Sequence, residues 1–238
     1  MSKVRSLFSL LAASCIVSVT LTAGAEPGLS PAKTVAEAGL TDITELVPDV
    51  IADIRYAGSN NFIGQRIDGY HAPRCYLLKP VAEALQRVAA ELREQQVRLK
   101  IFDCYRPTRA VRHFVEWADD PADQRKKAEY YPGIDKGELM GVYIAPVSGH
   151  SRGATVDLTL ARCEGQQCTE LDMGTSYDYF DELAHTDAPG ISTQQRRNRD
   201  LLRSAMQKQG FANYELEWWH YTLSPEPQPQ LMYNVPVR

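Results

Sequence analysis

Positive charge is what this chain most lacks. Its 238 residues hold 26 Lys and Arg against 30 Asp and Glu, a formal charge of −4. Without a surplus of cations to neutralise phosphates, neither nucleic acid nor an anionic membrane is an expected partner. Internal repeats, heptads and low-complexity tracts are missing too, which excludes solenoids and coiled coils. No two of the five cysteines are spaced Cys-x-x-Cys, so a zinc site built from thiolates has no support.

Long apolar stretches are confined to one, from about Leu7 to Leu21. It follows Lys3 and Arg5, is broken by Ser9, Ser14, Ser18 and Thr20, and falls short of the roughly 18 to 20 residues of a spanning helix. Ala23-Gly24-Ala25 has the small-x-small form of a signal-peptidase site, so residues 1–25 read as a cleaved signal peptide and residues 26–238 as the mature chain. A lipoprotein signal at Cys15 is the competing reading, opposed by Ala12 where a larger aliphatic is usual. The expected location is therefore the periplasm or the exterior, with no membrane contact after cleavage. Loss of Lys3 and Arg5 leaves 24 basic against 30 acidic side chains, a formal charge of −6. The mature length suits one hydrophobic core and a single domain.

Four cysteines remain after cleavage, Cys75, Cys104, Cys163 and Cys168, an even number suited to disulfides in an oxidising compartment. Three connectivities are open. The economical one closes the segment Cys163-Glu164-Gly165-Gln166-Gln167-Cys168 on itself and leaves Cys75 to pair with Cys104.

Helices and strands are expected in an order unlike repeated βαβ units. From Lys79 to about Gln96, Val81, Leu85, Val88 and Leu92 form one apolar stripe, and Pro80 suits a first turn. Val97 to Ile101 alternates as a strand does. Further helices are expected from about Thr108 to Trp117 and from about Thr193 to Gln209, the latter stopped by Gly210. Thr155 to Leu160 reads as a strand, and Phe211 to Leu223 as one or two. The proline-rich end, Pro225 to Pro236, is expected to form no regular ladder and to wrap the surface.

Two segments seventy residues apart hold the residues of greatest chemical interest, Ser148 to Asp157 and Glu217-Trp218-Trp219-His220. His150, Asp157 and His220 are the two imidazoles and one carboxylate that suit a catalytic zinc with a position left for water. Glu217 is placed to take that water's proton. In an ideal strand Glu217 and His220 would point to opposite faces, so a bend at Trp218-Trp219 is required. His71, His113 and His185 have no comparable company, and the acidic surroundings of His185 read as a solvated face. The two tryptophans read as core packing.

These segments, with Asp103-Cys104-Tyr105-Arg106-Pro107, Tyr130-Tyr131-Pro132, Met173-Gly174 and Asp178, resemble the zinc D,D-dipeptidase family, which shares its fold with D,D-carboxypeptidases and the hedgehog domain. The resemblance implies a single α+β domain whose small antiparallel sheet carries the zinc site between flanking helices. It implies one Zn2+ held by His150, Asp157 and His220, Glu217 as general base, and Arg106 beside the scissile carbonyl. It further implies Asp178 as partner of the substrate's ammonium, with Tyr56 beside it and Ser148 as a substrate-binding serine. The implied reaction is hydrolysis of D-alanyl-D-alanine or similar D,D-dipeptides to free D-alanine. A D,D-carboxypeptidase acting on longer peptidoglycan stems is the alternative, and outside the cytoplasm either would serve wall turnover.

Overall fold

A computed structural model describes residues 27–238. The expected signal peptide and the lipoprotein alternative at Cys15 lie outside the described residues. In chain order the strands are β1 (Gly28–Leu29), β2 (Leu40–Asp42), β3 (Ile51–Ala52), β4 (Tyr76–Leu78), β5 (Val97–Asp103), β6 (Thr155–Glu164), β7 (Gln167–Glu170), β8 (Phe211–Asn213), β9 (His220–Leu223) and β10 (Leu231–Met232). The helices are α1 (Lys79–Arg93), α2 (Thr108–Ala118), α3 (Lys127–Tyr130) and α4 (Thr193–Lys208).

A six-stranded sheet in the order β3-β5-β6-β9-β8, with β7 on β6, organises the α+β fold. It is antiparallel except at its edge, where β3 runs parallel to β5. Alternation separates its two faces. Leu99 faces Leu160 and Ile101 faces Leu158 across β5 and β6, and Val156 faces Tyr221 across β6 and β9. These side chains form the core with the buried stripe Val81, Leu85, Val88 and Leu92 of α1 and with Leu202 and Met206 of α4. The opposite face sets Asp157 between Asp103 on one neighbour and His220 on the other. The register shifts between Ile101 and Asp103, a bulge that marks the end of regular β5–β6 pairing beside the site.

Helix ends follow local chemistry. α1 stops three residues before the expected Gln96, which takes a left-handed φ of 59° and turns the chain into β5. α4 starts on a capping box, with the Gln195 N–H donating to Ser192 Oγ and the Ser192 N–H to Gln195 Oε1, and is followed by Gly210 at φ 88°. The 211–223 segment is a hairpin of two strands, β8 and β9, and Glu217 lies in the turn between them.

The proline-rich end departs from the expected surface wrap. β10 pairs in parallel with β1, and Tyr233, Val235 and Val237 turn inward while alternate residues face out. Extended backbone gives period-two burial without a full ladder. The Val235 carbonyl accepts from the Tyr105 hydroxyl at 2.9 Å, and Arg109 donates to both the side chain and the carbonyl of Asn234, so this end clamps the segment carrying Arg106.

Candidate active site

His150 sits in a short 3₁₀ turn, Gly149–Arg152, rather than in a strand. Ser148 caps the turn, its hydroxyl accepting from the His150 N–H at 3.3 Å. Gly153 ends it at φ 72°, where an added Cβ would be strained and would lie 2.9 Å from Leu40 Cδ2, so glycine is favoured where the chain passes into β6. The His150 Nδ1 lies 2.7 Å from the Cys104 carbonyl oxygen, which can only accept. Nδ1 therefore carries the proton and Nε2 presents a lone pair to the site.

Asp157 and His220 are direct cross-strand partners on β6 and β9. The Tyr214–Trp219 turn supplies the required bend and brings Glu217 Oε2 to 3.4 Å from His220 Nδ1. Trp218 and Trp219 are buried edge to face against each other, and the Trp218 Nε1–H donates to Thr175 Oγ1 at 2.8 Å, which packs the turn rigidly.

The three candidate ligands fit a metal ion. His150 Nε2 is 3.3 Å from His220 Nδ1 and 3.3 Å from Asp157 Oδ2, while His220 Nδ1 is 3.0 Å from Asp157 Oδ1. Tetrahedral ligands with bonds of about 2.0–2.1 Å are roughly 3.3 Å apart, and one donor atom from each of the three residues lies within 4.8 Å of the others, so the cluster is close to the size an ion needs. Asp157 Oδ1 is buried without a hydrogen-bond donor, an orphan that a cation would satisfy. Burial holds the His150 ring below its usual pKa, which keeps it neutral as a ligand must be. Burial also works against ionisation of Asp157, but His150 and His220 outweigh it and hold the carboxyl well below the usual range. For Glu217 burial prevails over the pull of His220 and pushes its carboxyl up to about 7, a value matched to accepting a proton near neutrality.

Arg106 is fixed by a carboxylate absent from the expected site. Its Nε and Nη2 lie 2.9 and 2.8 Å from Asp103 Oδ2, and Nη2 lies 3.6 Å from Asp157 Oδ2. The Tyr70 hydroxyl donates to the other Asp103 oxygen at 2.5 Å. Asp103 was visible in the Asp-Cys-Tyr-Arg-Pro motif, but nothing in the sequence links it to Tyr70, 33 residues earlier.

Asp178 is buried and takes a left-handed φ of 58°, a conformation that Asp tolerates better than most residues. The Tyr56 hydroxyl donates to its Oδ2 at 3.0 Å. Burial and then the negative charge of Asp157 push the Asp178 carboxyl well above its usual range. Tyr177, next to Asp178 in the chain, reaches Asp157 and Tyr56 with its hydroxyl, each at 3.0 Å.

One cavity of about 300 Å³ is lined by Tyr56, Arg106, Ser148, His150, Asp178, Glu217 and His220, with Asp157 buried against the two histidines. Phe62, Phe114 and Phe180 form its apolar wall. Both economical cysteine pairs are disulfides, Cys75–Cys104 and Cys163–Cys168. His113 ties the Gln65–Asp68 loop to α2, and His185 meets the Tyr143 hydroxyl, while Asp187 pairs with Arg196 and Arg203.

The chain is similar to several known proteins. Residues 36–238 match the peptidase family described as D-ala-D-ala dipeptidase. A D-alanyl-D-alanine dipeptidase of Enterococcus faecium is 40% identical over 85% of this chain and 100% of its own, and one of Streptomyces coelicolor is 41% identical over 82% and 96%. A solved vancomycin-resistance D,D-pentapeptidase in complex with Zn(II) is 17% identical, with a TM-score of 0.37 over 63% of this chain and 73% of that one. From the extent of the family match and the identity to its curated members, the chain belongs to the D-alanyl-D-alanine dipeptidase family of metallopeptidases.

Proposed function

We propose that this chain binds one Zn2+ through His150, Asp157 and His220 and hydrolyses D-alanyl-D-alanine and similar D,D-dipeptides to free D-alanine. The observation that carries the dipeptide reading is Asp178. It is a buried carboxylate on the wall of the cavity that holds Glu217 and Arg106, and a tyrosine hydroxyl is its hydrogen-bond donor among the described residues. Burial without a paired cation is costly, and a free α-ammonium would relieve it. A dipeptide carries that ammonium next to the scissile bond. In a longer stem an uncharged amide stands there instead.

Such an ion, when bound, supplies a Lewis acid that polarises the carbonyl and lowers the pKa of water. Glu217 takes the proton of the attacking water and passes it to the leaving amine, a role its raised pKa supports. Arg106, held by Asp103, supplies a fixed guanidinium to the oxyanion that forms as the carbonyl becomes tetrahedral. Ser148, on the cavity wall, offers a hydroxyl to the substrate.

Export to the periplasm or exterior is supported by the form of residues 1–25 and by the disulfides, and it favours a role in peptidoglycan turnover. Finding the protein in the cytoplasm with Met1 to Ala25 attached would sink that role.

The reaction is tested by release of D-alanine from D-Ala-D-Ala and from a pentapeptide ending in D-Ala-D-Ala, with Glu217→Ala as control. Cleavage of the dipeptide alone, lost in the variant, is expected. Cleavage of the pentapeptide would instead make the chain a D,D-carboxypeptidase, and cleavage of neither would remove the enzymatic reading.

A further inference from the structure

Two carboxylates in this cavity are joined by a pair of tyrosines. The Tyr177 hydroxyl lies 3.0 Å from Asp157 Oδ2 and 3.0 Å from the Tyr56 hydroxyl, which in turn lies 3.0 Å from Asp178 Oδ2. Tyr177 has no freedom to leave, being buried, stacked on Phe102 at 4.6 Å and edge to face with Trp219 at 5.4 Å. Each phenol has one hydrogen to donate. When Tyr56 gives its hydrogen to Asp178, the contact between the two phenols has only the Tyr177 hydrogen left, which is then shared between Tyr56 and Asp157. When an ammonium satisfies Asp178, Tyr56 is released to donate to Tyr177, and the Tyr177 hydrogen is committed to Asp157 Oδ2. Asp157 Oδ1, which has no donor, then stays free for the metal.

We infer that Tyr177 is a positioning residue that couples occupancy of the ammonium end to the hold on the metal-ligating carboxylate, so that zinc and dipeptide each tighten binding of the other. The inference rests on the zinc and ammonium assignments proposed above. Outer partners of metal ligands typically change metal affinity by about 10- to 100-fold, and coupling between sites is reciprocal.

The test is a Zn2+ titration of metal-free protein against a chromogenic chelator, with and without D-Ala-D-Ala, in a Glu217→Gln background that spares the dipeptide. Dipeptide is expected to tighten zinc at least about fivefold. Tyr177→Phe keeps the stacked ring, and it is expected to weaken zinc by about tenfold or more and to abolish the gain from dipeptide. Tyr56→Phe removes the competing acceptor and leaves the Tyr177 hydrogen to Asp157 alone, so without dipeptide it is expected to hold zinc about as tightly as the parent does with dipeptide, and to show no further gain. A gain that persists in either variant, or none in the parent, overturns the coupling while leaving the zinc assignment intact. Failure of the parent to bind zinc at all overturns the zinc assignment itself.

Discussion

Asp103 and Asp157 face one another across β5 and β6, and Arg106 lies against both, 2.8 Å from one carboxylate and 3.6 Å from the other. Two buried like charges side by side repel unless a cation sits between them. The arginine that faces the cavity is thus also what lets the sheet carry Asp157, the proposed metal ligand, beside another carboxylate.

Arg106→Ala is therefore expected to damage stability and rate together. Removing one member of a buried charge network costs about 3–5 kcal/mol, and losing an oxyanion partner costs about 100- to 1,000-fold in kcat. Arg106→Lys restores a positive charge but not the planar fork, so it should recover part of the stability and little of the rate. Chemical denaturation and steady-state kinetics on both variants check this. Wild-type kcat in Arg106→Lys would show that charge alone suffices.

Metal removal should loosen the site that the ion is proposed to fill. Adding Zn2+ at about 100 times its dissociation constant should raise unfolding free energy by about 2.7 kcal/mol. His220→Ala should lose most of that gain, since one of three converging ligands is gone. Thermal melts of chelated and zinc-loaded protein measure it. An equal zinc-induced shift in the variant would exclude this triad as the binding site.

The two disulfides should differ in what they control. Cys75–Cys104 closes a separation of 29 residues, and the Cys104 carbonyl orients His150. Replacing that pair with serine should cost about 3 kcal/mol and weaken metal binding as well. Cys163–Cys168 spans 5 residues beside the exposed strand β7, so its replacement should leave kcat/KM unchanged. Equal effects on metal content from both pairs would contradict the role given to Cys104.

Asp42 makes a pH-dependent contribution of definite sign. Burial pushes its carboxyl up, but hydrogen bonds from the Thr44 hydroxyl and N–H and from Arg74 outweigh that, and its pKa lies below the usual value. A carboxyl depressed on folding adds stability above its unfolded pKa of about 3.9, and this is lost as pH falls through the lower folded value. The stability gap between wild type and Asp42→Asn should be flat from about pH 7 to 5 and narrow below about pH 4. Denaturant midpoints across that range test it, and a gap that widens on acidification would refute the sign.

The chain's own order of residues determined much of this protein. The apolar stripe of α1, the alternation of β5 and the stop of α4 at Gly210 follow from periodicity and local backbone preference, which act over a few residues. His150, Asp157, Glu217 and His220 stood out as candidates because their residue types suit one chemistry, and Arg106 because its motif resembles the family's. Tertiary structure alone decided how they are held. The Tyr70–Asp103 bond, the Asp103–Asp157 pairing, the Tyr177 contacts and the inward turn of Tyr233, Val235 and Val237 join residues far apart in the chain. No local pattern records such contacts, because they arise when separate segments are buried against each other and each buried polar group must find a partner.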